Sequence, residues 1–271
     1  MNLNIEALRK MQINRTLELY PCLEQIIRRD AVFYRISRDQ YGGDSPEDRK
    51  ELTIGGILLA LSDVREFIEM MDNLNGWICR YPEYQTKSFG KKLKENFFSF
   101  YSEIEVFHHL KEKGIRPALN PKINSRSRQN LDFDISLDSS RYFIEVLTPR
   151  MSRELEEEFE RGGSDFFDPG RGLGPRNREP YSRVRTLIMK ELAKHIDLSS
   201  ESPDAPIILV INNTYARWEV PGSQNPFGSL ALPESICGIL FYDRYGENRF
   251  YANPAACRIG EGDKRFFESL M

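Results

Sequence analysis

Several features that would settle a protein's class at once are missing from this chain. No run of about 18 apolar residues occurs, so no membrane-spanning helix is expected. The opening stretch MNLNIEALRK is polar and amphipathic, with no signal-peptide core. Cysteine is scarce and scattered. Cys22, Cys79, Cys237 and Cys257 form no CxxC pair, which argues against a zinc site or a disulfide framework and for reduced thiols in a cytoplasm. A basic surplus is missing too. The chain has 38 Lys and Arg against 41 Asp and Glu, a net charge of −3, unlike a protein that coats nucleic acid. No internal repeat is present. The glycines of Gly170-Arg-Gly-Leu-Gly174 precede no Gly-Lys-Ser/Thr and follow no strand, so a phosphate loop is excluded. What remains is an ordinary globular composition, 40% hydrophobic and 29% charged over 271 residues. That is enough for one large domain or two small ones.

The most informative stretch is residues 130–150, NLDFDISLDSSRYFIEVLTPR. Leu131, Phe133, Ile135 and Leu137 alternate with Asp132, Asp134 and Ser136. Tyr142, Ile144 and Val146 then alternate with Phe143, Glu145 and Leu147. A period of two is the mark of strands, and the intervening serines predict a hairpin. A turn at Ser139-Ser140 would pair Asp134 with Glu145 and Asp132 with Leu147, crowding acids on one face. Like charges facing each other destabilise a sheet. A hard cation such as Mg²⁺, which takes oxygen ligands, would relieve them. Glu145 lies between Ile144 and Val146, with Phe143 and Leu147 on its own face, so burial is expected. A buried carboxylate pairs with a cation or coordinates a metal. The alternatives are a structural ion pair for Glu145 and ordinary strand-edge roles for Asp132 and Asp134.

The rest of the chain divides in two. Residues 1–91 read as an all-helical region. Apolar residues recur at helical spacing over 5–29, residues 40–50 form a polar connector, 52–74 read as a second helix, and 77–91 as irregular chain. This region carries no chemical motif and is assigned to packing, dimerisation or substrate docking. Residues 92–271 read as an α/β domain. A helix is expected over 92–113 and stopped by Gly114. The hairpin follows, then an acidic helix over 152–161, a Gly/Pro/Arg loop over 162–180 and a helix over 181–196. Buried strands are expected over 205–212 and 236–243.

Positive charge is uneven along the second part. Lys122, Arg126 and Arg128 precede the hairpin without an intervening acid, and Arg171, Arg176, Arg178, Arg183, Arg185, Lys190 and Lys194 follow it. A basic rim around an acidic pocket suits a phosphodiester. Two solvated faces are the alternative. His108 and His109 are adjacent in the expected helix, either as partly buried residues or, with Glu105, as a metal pair. Tyr215 and Trp218 follow the first buried strand and either pack or stack on a base.

In the second part the order is a helix bearing Glu103, Gly114 eleven residues later, Asp132 opening a strand, and Glu145 after twelve further residues. This order resembles the PD-(D/E)xK nuclease superfamily, the restriction-endonuclease-like fold. The local pattern is similar to that of the archaeal Holliday junction resolvases. The resemblance runs from residue 92 to about residue 253, with residues 251–254 as a final edge. It implies a mixed β-sheet flanked by helices and hydrolysis of DNA, with RNA as the other substrate. It further implies that Mg²⁺ or Mn²⁺ is held by Asp132, Glu145 and the Val146 carbonyl, with Glu103 reaching the metal directly or through water. Lys122, Arg126, Arg128 and Arg183 would contact the nucleic acid. One position departs from the pattern: Leu147 stands where the family has its lysine. Arg150, Arg183 and Lys190 are the candidate replacements, and Lys190 is the better chemically because arginine stays charged. A nuclease-like domain that binds nucleic acid or protein without cutting is the second reading. An unrelated α/β protein with structural acids is the third.

Overall fold

The computed structural model describes residues 5–27, 65–124, 130–137, 140–149, 203–214, 232–244, 248–256 and 259–271. Two compact units divide the chain, Met1–Glu105 and Val106–Met271. The expected connector 40–50, and the elements expected over 152–161, 162–180 and 181–196, lie outside the described residues.

The described residues of the first unit are largely helical, and the helices break at other places than the sequence predicts. The helix expected over 5–29 is two helices, α1 (Ile5–Leu17) and α2 (Pro21–Ile26). Pro21 causes the break. Its ring disfavours helical geometry in the preceding residue, and Tyr20 sits at φ −122°, ψ 71°. Proline then suits the first turn of α2, where its missing N–H costs nothing. Helix α3 (Arg65–Arg80) buries Met70, Met71, Leu74, Trp77 and Ile78, one helical stripe. Residues 52–64 of the expected second helix lie outside the described residues.

The expectation of irregular chain over 77–91 is corrected. Residues 77–80 finish α3, Pro82–Tyr84 form a 3₁₀ turn, and α4 (Lys87–Glu95) begins at Thr86. The Thr86 hydroxyl accepts the Phe89 N–H at 3.1 Å, an N-cap. The helix expected over 92–113 is likewise interrupted at Asn96, after which α5 (Phe97–Glu112) begins. Gly114 ends α5 as expected. It adopts φ 80°, which only glycine does at no steric cost, and Ile115 N–H closes the turn onto Leu110 O at 3.0 Å.

A second correction concerns the thiols. Cys22 of α2 and Cys79 of α3 form a disulfide across a sequence separation of 57. Sequence distance is no obstacle once α2 and α3 are neighbours. Asn75 Oδ1 reinforces that junction by accepting the Cys22 and Leu23 N–H groups at 3.0 and 3.2 Å. The argument from reduced thiols to a cytoplasmic location therefore fails. No helix among the described residues is long and apolar enough to cross a membrane.

The second unit is α/β, a six-stranded mixed sheet flanked by helices. The strands are β1 (Ala118–Leu119), β2 (Phe133–Leu137), β3 (Ser140–Leu147), β4 (Ile207–Asn212), β5 (Ile236–Tyr242) and β6 (Arg249–Ala252), in that spatial order. β1, β2 and β3 form an antiparallel meander, β4 and β5 run parallel to β3, and β6 is antiparallel to β5. Every residue of β4 and β5 is buried, which explains their continuous apolar runs.

One face of the sheet presents Phe133, Tyr142, Ile144 and Phe250. Phe107 of α5 meets Phe133 at 6.0 Å between ring centroids. The C-terminal helix α6 (Glu261–Glu268), which the sequence reading missed, places Phe267 against Tyr142 and Phe250. The Tyr142 hydroxyl donates to Asp263 at 2.7 Å, and burial together with this carboxylate pushes the phenol pKa up. Gly238 leaves room for the Phe250 ring, which a Cβ there would strike. The opposite face joins Phe143, Leu147, Ile207, Leu209, Ile211, Ile239 and Phe241 in a second apolar cluster.

Candidate functional site

The hairpin forms, with a register two residues from the expected one. Leu137 pairs with Ser140, Asp134 with Phe143 and Phe133 with Ile144. A shift of two keeps every side chain on its face and changes only its neighbour. The expected pairs Asp134–Glu145 and Asp132–Leu147 are therefore corrected. Continued by one residue, the observed register sets Asp132 against Glu145. A hydrogen bond fixes that end of the hairpin: Val146 N–H donates to Asp132 Oδ2 at 2.8 Å.

Glu145 is 3% exposed. Along β3 it stands between Phe143 and Leu147, and across the sheet it faces Leu209. Taking a carboxylate out of water costs several kcal/mol unless polar partners compensate, roughly the scale on which whole domains are stable. Beyond β3, Thr148 carries a buried Oγ1 that makes no hydrogen bond among the described residues.

Asp134 belongs to a different arrangement. Arg141 grips it in a forked ion pair, Nε to Oδ1 at 3.0 Å and a terminal nitrogen to Oδ2 at 2.8 Å. The same guanidinium lies 5.0 Å from the Phe143 ring centroid. The pairing holds the Arg141 pKa up. The cation that relieves this acid is thus Arg141, a residue the sequence reading passed over. With the correct register it is legible, because Arg141 sits diagonally from Asp134 on the same face.

The remaining candidates lie at other points along the chain. Glu103 and Glu105 lie in the first unit, 8% and 3% exposed, and Glu103 Oε1 accepts the Tyr84 hydroxyl at 3.4 Å. Leu147, at the lysine position of the family pattern, is 6% exposed in the apolar cluster. Lys122 is exposed, and its backbone forms an isolated bridge with Asn130. Arg126, Arg128, Arg150, Arg183, Lys190, Tyr215 and Trp218 lie outside the described residues.

The rings of His108 and His109 lie 5.5 Å apart at an interplanar angle of 53°. Burial first, then the charges of His108, Arg244 and Lys113, push the His109 pKa down to about 4. The imidazole is therefore neutral at physiological pH. Among the described residues no group of three or more His, Cys, Asp or Glu side chains is arranged to hold a metal ion.

No family model, curated protein or solved structure matches this chain. Function has to be argued from the site itself.

Proposed function

We propose that the chain is a divalent-metal-dependent nuclease of the PD-(D/E)xK type, hydrolysing phosphodiester bonds of DNA. The observation that carries this reading is the conjunction at the end of the hairpin. Asp132 is hydrogen-bonded to the Val146 backbone at 2.8 Å, and Glu145, the residue before Val146, is buried between Phe143 and Leu147 of the apolar cluster. The order of elements agrees: an antiparallel meander ending in the acid-bearing β3, then a parallel β4.

The chemistry of the donor set suits Mg²⁺ or Mn²⁺. Mg²⁺ is usually bound through one or two carboxylates while it keeps several waters. Asp132, Glu145 and the Val146 carbonyl offer two carboxylates and one neutral oxygen, all hard ligands. When bound, the ion would lower the pKa of a water and offset charge building on the phosphate. The residues contribute placement. The Val146 N–H holds Oδ2 of Asp132 and so orients the carboxylate, and the apolar neighbours of Glu145 strengthen its attraction for a cation by excluding water. Glu103 is the further acid of this reading and Lys190 the proposed source of the missing cation.

A second reading is favoured by one observation. Leu147 is buried in the apolar cluster, so the position that carries the family's lysine can neither activate water nor stabilise negative charge. On this reading the domain binds nucleic acid or a protein partner without cutting.

Incubation of plasmid, linear and branched DNA and of RNA with Mg²⁺ or Mn²⁺ separates the two, using wild type against Glu145→Ala. Cleavage by the wild type that is lost in the variant supports the nuclease. Absence of cleavage on every substrate by folded wild type leaves the silent binding module.

A further inference from the structure

We propose that the Cys22–Cys79 disulfide is a thiol-reversible clasp on the helical unit, opened by a dithiol reductant, and that opening it releases α2 from α3 while the sheet unit is unaffected. Three observations support this. First, the bond is reachable. Cys79 is exposed and Cys22 half-buried, whereas the free thiol of Cys237 is 0% exposed within β5. Access to a sulfur is a requirement for thiol–disulfide exchange. Second, the bond is long-range, joining positions 57 apart, and a cross-link closing a long loop removes much of the freedom of the unfolded chain. Third, α2 is short. It is six residues long, no side chain of its N-cap residue Tyr20 caps it, and helices this short do not persist alone in water. Its anchors at the α3 junction are the disulfide and the two N–H groups held by Asn75 Oδ1. Leu23 and Ile26 add burial, and Gly90 of α4 seats directly on the Ile26 carbonyl.

The exchange balances with the named reductant. A thiolate of the dithiol attacks Sγ of Cys79, the S–S bond breaks, and Cys22 leaves as a thiolate that takes up a proton. The second thiolate of the reductant attacks the mixed disulfide and frees Cys79. The two electrons gained by the cysteine pair come from the reductant, which ends as a cyclic disulfide.

The test is made on the full chain carrying Cys257→Ser, purified without reductant. Alkylation under native conditions is counted by intact mass before and after dithiothreitol, and amide hydrogen exchange is followed by peptide. The expected result is no alkylation before reduction and two alkyl groups after it, at Cys22 and Cys79. Exchange within 21–26 and the C-terminal half of α3 should rise about tenfold or more, with β3, β4 and β5 unchanged. The double variant Cys22→Ser/Cys79→Ser should reproduce the reduced exchange pattern without reductant. Alkylation at both sites before reduction overturns the proposal. So does an exchange pattern indifferent to dithiothreitol, or one in which the sheet loosens with the helices.

Discussion

From Tyr142 to Leu147 both faces of β3 are closed to solvent, and they are closed in different ways. On one face Tyr142 and Ile144 share a core with Phe133, Phe250 and Phe267. The only polar group named there, the Tyr142 hydroxyl, has its partner in Asp263. On the other face Phe143 and Leu147 join an equally apolar cluster, and between them stands Glu145. One face reads as material for folding. The other holds a buried carboxylate among apolar side chains, an environment that disfavours the charged form unless it is compensated. Sites under selection for chemistry are where local rules of stability are broken.

That contrast can be broken by mutation. The largest effect is expected at Glu145. Glu145→Ala should lower metal-dependent cleavage about a hundredfold or more. Glu145→Leu should lower it equally; if the acid serves the metal and not a structural ion pair, whose breaking costs about 3–5 kcal/mol, the melting temperature stays unchanged or rises. A fall of several degrees in Glu145→Leu would show that the acid is structural, and the two faces would no longer differ in kind. Next in size, Ile144→Ala on the opposite face should cost about 2–5 kcal/mol in urea denaturation, as buried truncations do, with cleavage per folded molecule intact. A cost below about 1 kcal/mol would mean that this face is loosely covered.

A smaller effect sharpens the comparison with a partly buried ionisable group, His109. Its folded-state pKa, about 4, lies below the unfolded value near 6.5. The unfolded chain therefore binds this proton first as pH falls. Stability is intact above pH 6.5 and declines between about 6.5 and 4, by roughly 1–2 kcal/mol after discounting for partial exposure. Denaturation midpoints across that window should flatten in His109→Gln, and an unchanged pH dependence would remove His109 as the cause. The smallest effect belongs to Asp134→Asn. Its partly exposed pair with Arg141 should be worth less than about 1 kcal/mol, with the loss shrinking further in salt, and cleavage should not change. A cleavage defect there would return Asp134 to the site.

Much of the fold was legible in residue patterns, and the misses share a cause. The continuous apolar runs of β4 and β5, the alternation of β2 and β3 and the stop at Gly114 are local signals that tertiary structure did not override. The register of the hairpin is not local. Alternation is unchanged by a slip of two, so the pattern alone could not choose between pairing Glu145 with Asp134 or setting it against Asp132. What distinguishes them is cross-strand chemistry, the Asp134–Arg141 fork and the Asp132–Val146 hydrogen bond. The disulfide was hidden for the same reason, because it depends on α2 lying against α3. Thr86 as an N-cap was readable and was overlooked. β1, two residues long, is too short to leave a periodic trace.

The strand lengths themselves have a consequence. Among the described residues the inner strands β3, β4 and β5 run to eight, six and seven residues, while the outermost, β1 and β6, have two and four. The sheet thus tapers toward both rims. Along the described edge strands, a neighbouring molecule seeking to extend the sheet would find a short row of backbone groups, too few to template a lasting intermolecular ladder. This taper guards the apolar middle strands against the runaway strand-to-strand association that their composition would otherwise invite.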